Sequence, residues 1–325
     1  MADVLCDGRA ITVARGQRLL DALTAADVSV PSSCRAGACQ TCLVKATRGT
    51  PPAAAQIGLK EGLRLQGYFL ACLAEPTEDL EITLDAGALS VPARIDRVDR
   101  IGADVVRVRV LPEQAFPHRG GQWTTLLRAD GLARPYSIAS VPESPEGLGP
   151  LELHVRVIPG GRMSGWLSGA EAQGTAVRLR APAGDCFYTP RDLAQPLLLA
   201  GTGTGLAPLW AILRDALGAG HTGPIEVWHG ARTAGGFYLV DELRALSRRS
   251  PQIVYRRCAL EGSGGEVLAG RLDALVLAQG AVAGRRAFLC GDPTFVATLK
   301  RGLFLAGMPL RDIHADAFVS APPPG

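Results

Sequence analysis

No excess of one charge runs through this 325-residue chain: 34 Lys and Arg face 31 Asp and Glu, for a formal net charge of +3, and no run of five like charges occurs. Binding to a polyanion needs a basic stripe that displaces counterions, so a nucleic-acid partner is not expected. Uninterrupted apolar runs of membrane-span length are missing as well. The uncharged stretch from Pro196 to Leu213 is long enough, but Gly201, Gly203, Gly205 and Pro208 divide it into a buried strand, a glycine turn and a helix. At the start, Asp3 and Asp7 stand where a secretory leader would carry a basic residue and an apolar core. A soluble, cytoplasmic protein with no membrane partner is therefore expected. With 47% hydrophobic and 20% charged residues the chain is not disordered, and its length suits two or three domains.

In a reducing compartment eight cysteines are poorly explained as disulfides, so their spacing carries the information. Cys34, Cys39 and Cys42 form a C-x4-C-x2-C run, and Cys72 follows at a distance. This is the ligand spacing of a plant-type 2Fe-2S cluster, in which one tight loop supplies several thiolates and a strand elsewhere closes the site. Ala36, Gly37 and Ala38 give such a loop the room and the dihedral freedom it needs. A structural zinc site is disfavoured, because a second close Cys pair is missing. Rieske ligation is disfavoured too, since none of the five histidines lies near the loop. Cys6, Cys186 and Cys258 read as small buried hydrophobes.

The flanks of the cysteine loop are consistent with a small sheet around one helix. Asp7-Gly8 predicts a tight hairpin, Leu19, Leu20 and Leu23 mark a short amphipathic helix, and LVKAT and LEITL read as strands. Residues 1 to about 88 resemble a plant-type ferredoxin domain of the β-grasp fold, which implies one-electron transfer. Small residues and a proline from Asp85 to Pro92 suggest a linker, with a second domain starting near Val91.

Alternating strands such as Val105–Val110 and Leu151–Val157 predict an antiparallel barrel in the second domain. Two motifs there bear on chemistry. Arg134-Pro135-Tyr136-Ser137 brings together a permanent cation, a flat ring and a hydroxyl, which suits an anionic cofactor with a planar ring system. Gly160-Gly161-Arg162-Met163-Ser164 opens a short helical stretch whose free amides suit a pyrophosphate. Each motif taken alone fits an ordinary strand or an ordinary turn equally well. In their order they resemble the R-x-Y-S and G-x-x-S pair of the ferredoxin-NADP reductase superfamily, where the pair binds FAD.

From Leu193 onwards strand and helix patterns alternate, which predicts a parallel, doubly wound sheet. The turn Gly201-Thr202-Gly203-Thr204-Gly205 lets backbone amides approach a dinucleotide. Leu206 occupies the place of the third glycine in the ordinary G-x-G-x-x-G fingerprint, so that fingerprint is not met. Gly203-Thr204-Gly205-Leu206-Ala207-Pro208 instead resembles the G-T-G-x-A-P pattern of the same superfamily, and Cys290-Gly291-Asp292-Pro293 resembles its C-G-x-P turn. That resemblance puts Cys290 against the nicotinamide, Gly203, Thr204, Gly205, Pro208, Gly291 and Asp292 around the dinucleotide, and Asp316 or Phe318 near the flavin. Read from the residues, Cys290 also fits a buried thiol, Phe318 a core side chain and Asp316 a solvated charge.

Taken whole, the chain is similar to the three-domain reductase components of multicomponent oxygenases, such as those serving benzoate dioxygenase, phenol hydroxylase or methane monooxygenase. The resemblance implies an α+β multidomain protein: a β-grasp ferredoxin domain over 1–88, an antiparallel β-barrel FAD domain over 91–192 and an α/β doubly wound NAD domain over 193–325. It implies an NAD(P)H-dependent flavin and iron-sulfur oxidoreductase that passes electrons from NADH through FAD and the 2Fe-2S cluster to a separate oxygenase. A flavin is needed because hydride carries two electrons and the cluster accepts one. In these terms Ser137 bonds near flavin N5, Tyr136 packs on the ring, Arg134 neutralises charge, Gly161 to Ser164 hold the pyrophosphate, and Ser137, Cys290 and Phe318 stand closest to hydride transfer. The chain shows no Ser/His/Asp or paired-carboxylate arrangement, and hydride transfer needs none. Arg232 lies where a 2′-phosphate would be read, but no basic cluster surrounds it, so NADH is preferred to NADPH. A deoxysugar dehydrase or another iron enzyme as acceptor, or a redox-sensing role, remain alternatives. The first 90 residues hold eight Lys/Arg and ten Asp/Glu, too even a balance to identify a partner.

Overall fold

The computed structural model describes residues 1–59, 61–84, 90–144, 147, 149–262, 264–280 and 282–319, arranged around three sheets. In the first, β1 (Ala2–Cys6) and β2 (Arg9–Val13) form a hairpin whose turn residues Asp7 and Gly8 both have positive φ, 46° and 86°, as expected of that dipeptide. Strand alternation turns Ala2, Val4, Cys6, Ile11 and Val13 inward. α1 (Leu19–Ala25) lays Leu19, Leu20, Ala22 and Leu23 on that face, and the amides of Leu19 and Leu20 bond to the carbonyls of Ala74 and Ala71. This ties the helix to the segment that carries Cys72. β3 (Leu43–Arg48), α2 (Glu61–Leu65), β4 (Tyr68–Leu70) and β5 (Leu80–Thr83) complete a sheet of order β2-β1-β5-β3-β4, with β1 and β5 parallel. Phe69 and Leu70 of the edge strand β4 are buried in its core, where an apolar side chain of this size contributes about 1.5–3 kcal/mol relative to exposure.

The second sheet is antiparallel, in the order β10-β7-β6-β11-β8-β9. Its strands are β6 (Ser90–Arg100), β7 (Val105–Pro112), β8 (Trp123–Leu127), β9 (Ala133–Ser137), β10 (Leu151–Arg156) and β11 (Ala176–Arg180). A bridge between Ile138 and Leu153 joins the two outer strands and closes the sheet into a barrel, and α3 (Arg162–Leu167) follows β10. Of the expected linker, residues 85–89 lie outside the described residues. Ser90, Val91 and Pro92 are strand instead of linker, because they pair with Arg180, Leu179 and Arg178.

The third sheet is parallel throughout, in the order β15-β14-β13-β12-β16-β17. It contains β12 (Leu197–Thr202), β13 (Ile225–Thr233), β14 (Ile253–Glu261), β15 (Val267–Ala269), β16 (Arg286–Gly291) and β17 (Ile313–Ala317). α4 (Leu206–Gly218) and α5 (Val240–Arg249) cover one face, and α6 (Leu272–Leu277) and α7 (Pro293–Leu305) the other. Both faces are covered, so the central strands are continuously apolar, as in LLLA and AFLC. After β12 the chain winds outward through β13, β14 and β15, then returns to the other side of β12 as β16. This switch point is where such sheets bind ligands. The prolines at 322–324 lie outside the described residues.

At the switch point a Cβ on Gly205 would collide with the backbone carbonyl of Cys290. Gly205→Ala must therefore push the turn before α4 away from the end of β16, and it is expected to destabilise the fold by about 1–3 kcal/mol, an overpacking cost measurable by denaturant unfolding.

Candidate functional site

The four cysteines of the spacing motif are all buried and unpaired by disulfides. The loop turns back on itself through positive φ at Arg35 (53°), Gly37 (79°) and Gln40 (51°). At Gly37 the left-handed φ favours glycine, and a Cβ would also press on Leu73 Cδ1 at 2.6 Å. The winding aims backbone amides at sulfur: Ala36 and Cys39 donate to Cys34 Sγ at 3.4 and 3.3 Å, and Cys34 donates to Cys39 Sγ at 3.4 Å. The Thr41 hydroxyl adds a bond to Cys39 Sγ at 2.9 Å. Cys72 sits just beyond β4, in a turn fixed by the Ala71 amide bonding to the Cys42 carbonyl.

The sulfurs fall into two hydrogen-bonded pairs, Cys34 with Cys39 and Cys42 with Cys72. In each pair one thiol gives up its proton early. A hydrogen bond from the Cys39 thiol, reinforced by backbone amides, pulls Cys34 down to about 5, and a bond from the Cys42 thiol brings Cys72 to about 7. Cys39 and Cys42 rise in exchange, through the same shared bonds and through burial. Among the described residues no three His, Cys, Asp or Glu gather as a site for a single metal ion. Two thiol pairs under a canopy of amides fit a two-iron cluster instead, with a pair for each iron.

The barrel places its motif next to this loop. Arg134, Pro135 and Tyr136 are half-buried and Ser137 is buried on β9. Arg134 Nη1 donates to its neighbour Ala133 O at 2.7 Å and to Ser32 O, just before the cysteine loop, at 3.3 Å. Burial pushes the Tyr136 phenol up, so it stays neutral. Gly161 caps α3. The Ser164 hydroxyl accepts from the Ile158 amide at 3.1 Å, and Arg162 lies 3.6 Å from Asp130. Met163 points into the barrel core, so what it offers a ligand is its backbone.

In the parallel sheet, Gly203, Thr204 and Gly205 form a single 3-10 turn leading into α4, with Pro208 buried in the first turn of that helix. Facing it, Cys290 is fully buried at the end of β16, with its sulfur 3.5 Å from that of Cys186, and burial drives the Cys290 thiol far up. Gly291 follows with φ of 125°, and Asp292 caps α7 by accepting from the Phe295 amide while its own amide donates to Thr202 Oγ1. Asp316 pairs with Cys290 across β16 and β17, and the Phe318 amide bonds to the Gly291 carbonyl. Asp316 is half-buried, not a freely solvated charge, and burial lifts its carboxyl to about 6. Arg232 is exposed and pairs with Glu261 at 3.0 Å. The sequence reading missed Glu261 and Arg180 and took Cys186 only as a buried hydrophobe; all three reach the site by contacts between distant segments and carry no local pattern.

Replacing Cys72 by Ser is expected to strip iron and sulfide from the purified protein while leaving its flavin content near that of the parent, as measured by iron assay and absorbance. For Asp316 the sign follows from its raised value. The folded chain holds this proton more tightly than the unfolded chain, whose value is 3.8, so stability falls as pH rises from about 4 to about 6 and stays lower above that. Asp316→Asn removes the decline: its Tm should exceed that of the parent at pH 8 by more than it does at pH 4.

Comparison with known proteins agrees with the geometry in all three regions. Residues 4–77 match the 2Fe-2S iron-sulfur cluster binding domain, 93–188 the oxidoreductase FAD-binding domain and 199–301 the oxidoreductase NAD-binding domain. The chain is 31% identical over 321 residues to the ferredoxin–NAD(P)+ reductase component of the naphthalene 1,2-dioxygenase system of Pseudomonas putida, covering 96% of each chain. It is 33% identical to the corresponding component of the naphthalene 1,2-dioxygenase/salicylate 5-hydroxylase systems of a Ralstonia species, covering 93% of this chain and 94% of the other. Among solved structures, the Amycolatopsis cytochrome P450 reductase GcoB superposes with a TM-score of 0.68 at 28% identity, over 98% of this chain and 99% of the other. The ferredoxin reductase of carbazole 1,9a-dioxygenase shares the fold, with a TM-score of 0.65 at 23% identity over 98% of each chain. The chain belongs to the family of ferredoxin–NAD(P)+ reductase components of multicomponent oxygenase systems, oxidoreductases that join a 2Fe-2S domain to FAD- and NAD-binding domains.

Proposed function

We propose that this protein draws electrons from NADH and delivers them, one at a time, to a separate oxygenase component, with 1–88 as the cluster domain, 91–192 as the flavin domain and 193–325 as the nicotinamide domain. The observation that carries the reading is the bond from Arg134, inside the barrel's R-x-Y-S motif, to Ser32 beside the cysteine loop, which brings the flavin motif and the cluster motif into one contact. When bound, FAD takes up the two electrons of a hydride and releases them singly, which no side chain here can do. Tyr136 supplies a neutral ring face, Ser137 a buried hydroxyl and Arg134 a fixed cation for the isoalloxazine. The backbone of Gly161 to Ser164 serves the pyrophosphate, with Arg162 close by. On the other side, Gly203 to Gly205 and Gly291 give the dinucleotide a close backbone approach, and Cys290 presents a neutral thiol to the nicotinamide. Phe318, held by its amide to Gly291, lies at the same strand end.

NADH is favoured over NADPH by Glu261. Its carboxylate already engages Arg232, the cation available to a 2′-phosphate, and at this place a carboxylate suits a free ribose hydroxyl. An oxygenase acceptor is supported by relatives that serve naphthalene dioxygenase and xylene/toluene monooxygenase. Anaerobic titration of the coloured protein with NADH is expected to bleach flavin and iron-sulfur bands together by about 1.5 equivalents, the capacity of one flavin plus one cluster. NADPH should be slower, and Glu261→Gln should narrow the gap. Bleaching of the flavin alone would sink the electron-transfer reading.

A further inference from the structure

Arg180 ends β11 of the barrel and is 7% exposed, yet among the described residues no carboxylate answers it. Nη1 donates to the carbonyl of Gln40 at 2.6 Å, while Nε and Nη2 are buried without a protein partner. Burying an uncompensated guanidinium is costly, so a stable fold keeps one where an anion meets it. The anion is at hand. Gln40 lies between Cys39 and Cys42 in the cysteine loop, and thiolates with bridging sulfide leave a 2Fe-2S cluster net negative. The cation is also rigidly mounted: the Thr124 hydroxyl bonds the Arg180 carbonyl at 2.6 Å, and Arg180 pairs with Ser90 in the strand ladder.

On the functional reading above, we propose that Arg180 is a positioning residue for electron transfer, a cation carried by the flavin barrel that grips the cluster loop at Gln40 and makes the docked cluster a better electron acceptor. The step it serves adds one electron to the cluster, supplied by NADH through the flavin, with no bond made or broken. A neighbouring domain thus sets part of the potential of the cluster, in addition to the amides of the cluster's own loop.

The test is redox titration of holoprotein, with the cluster followed by electron paramagnetic resonance and the flavin by absorbance, for the parent, Arg180→Gln and Arg180→Lys. Arg180→Gln is expected to shift the one-electron equilibrium of the cluster about tenfold towards the oxidised form, about 59 mV, with flavin potential and iron content unmoved. Arg180→Lys, which keeps the charge, should fall between parent and Arg180→Gln. A cluster potential in Arg180→Gln equal to that of the parent, even with a lower Tm, overturns the proposal and leaves Arg180 a clamp. If Arg180→Gln loses its cluster, Arg180→Met takes its place as the neutral variant, and a cluster potential in it equal to that of the parent again overturns the proposal. Failure of NADH to reduce the parent's flavin would count against the functional reading itself, whereas a flat series of potentials counts only against Arg180.

Discussion

The barrel has to touch both of its neighbours at once, and most of the structure follows from that contact. Towards the cysteine loop it extends two arginines, Arg134 and Arg180, each ending on a backbone carbonyl. Towards the parallel sheet it contributes Val105, Cys186 and Tyr188 to a core shared with β12, α4 and β16. A second join uses polar groups: His154 on β10 bonds Glu152 at 2.7 Å and the Tyr238 hydroxyl at 3.3 Å, with the Tyr238 ring set edge-on to His229 of β13. Apolar contact supplies most of the adhesion there, and the satisfied polar network fixes one orientation. Electron transfer requires short distances and hydride transfer requires orientation, and a rigid middle domain serves both.

Charge is handled differently at the two ends of the chain of carriers. At the cysteine loop, sulfur accepts from amides and a hydroxyl, which favour the anionic form, and a buried cation holds the Gln40 carbonyl of the same loop. At the switch point, Cys290 and Asp316 sit in low polarity and are pushed towards neutrality. The first environment suits a site that accumulates electrons. The second suits transfer of a hydride, in which no side chain need gain or lose a proton.

Much of this was legible in the sequence where the signal is local. The cysteine spacing located a buried, amide-lined loop, Asp7-Gly8 located a hairpin, and the run from Leu197 to Leu213 located strand, turn and helix at the switch point of the sheet. Short elements such as α2, β4 and β15 escaped because three to five residues carry no readable periodicity. Ser90 to Pro92 resembled a linker because small residues and a proline look alike in a loop and at the start of a strand; only the pairing with β11 separates them. Arg180 and Glu261 escaped for a deeper reason. Their surroundings are assembled from segments far apart in the chain, and 140 residues separate Arg180 from Gln40.

The strand order of the parallel sheet has a consequence for how such a protein can change. Arg232 and Glu261 stand on β13 and β14, to one side of β12, whereas Cys290 and Asp316 stand on β16 and β17, to the other. On the proposed reading, recognition of the adenosine end of a nicotinamide dinucleotide and the chemistry of its other end would be inherited through different strands. A lineage could then exchange one reducing currency of the cell for the other by altering two exposed side chains, while the buried strand ends on the far side of β12 stay as they are.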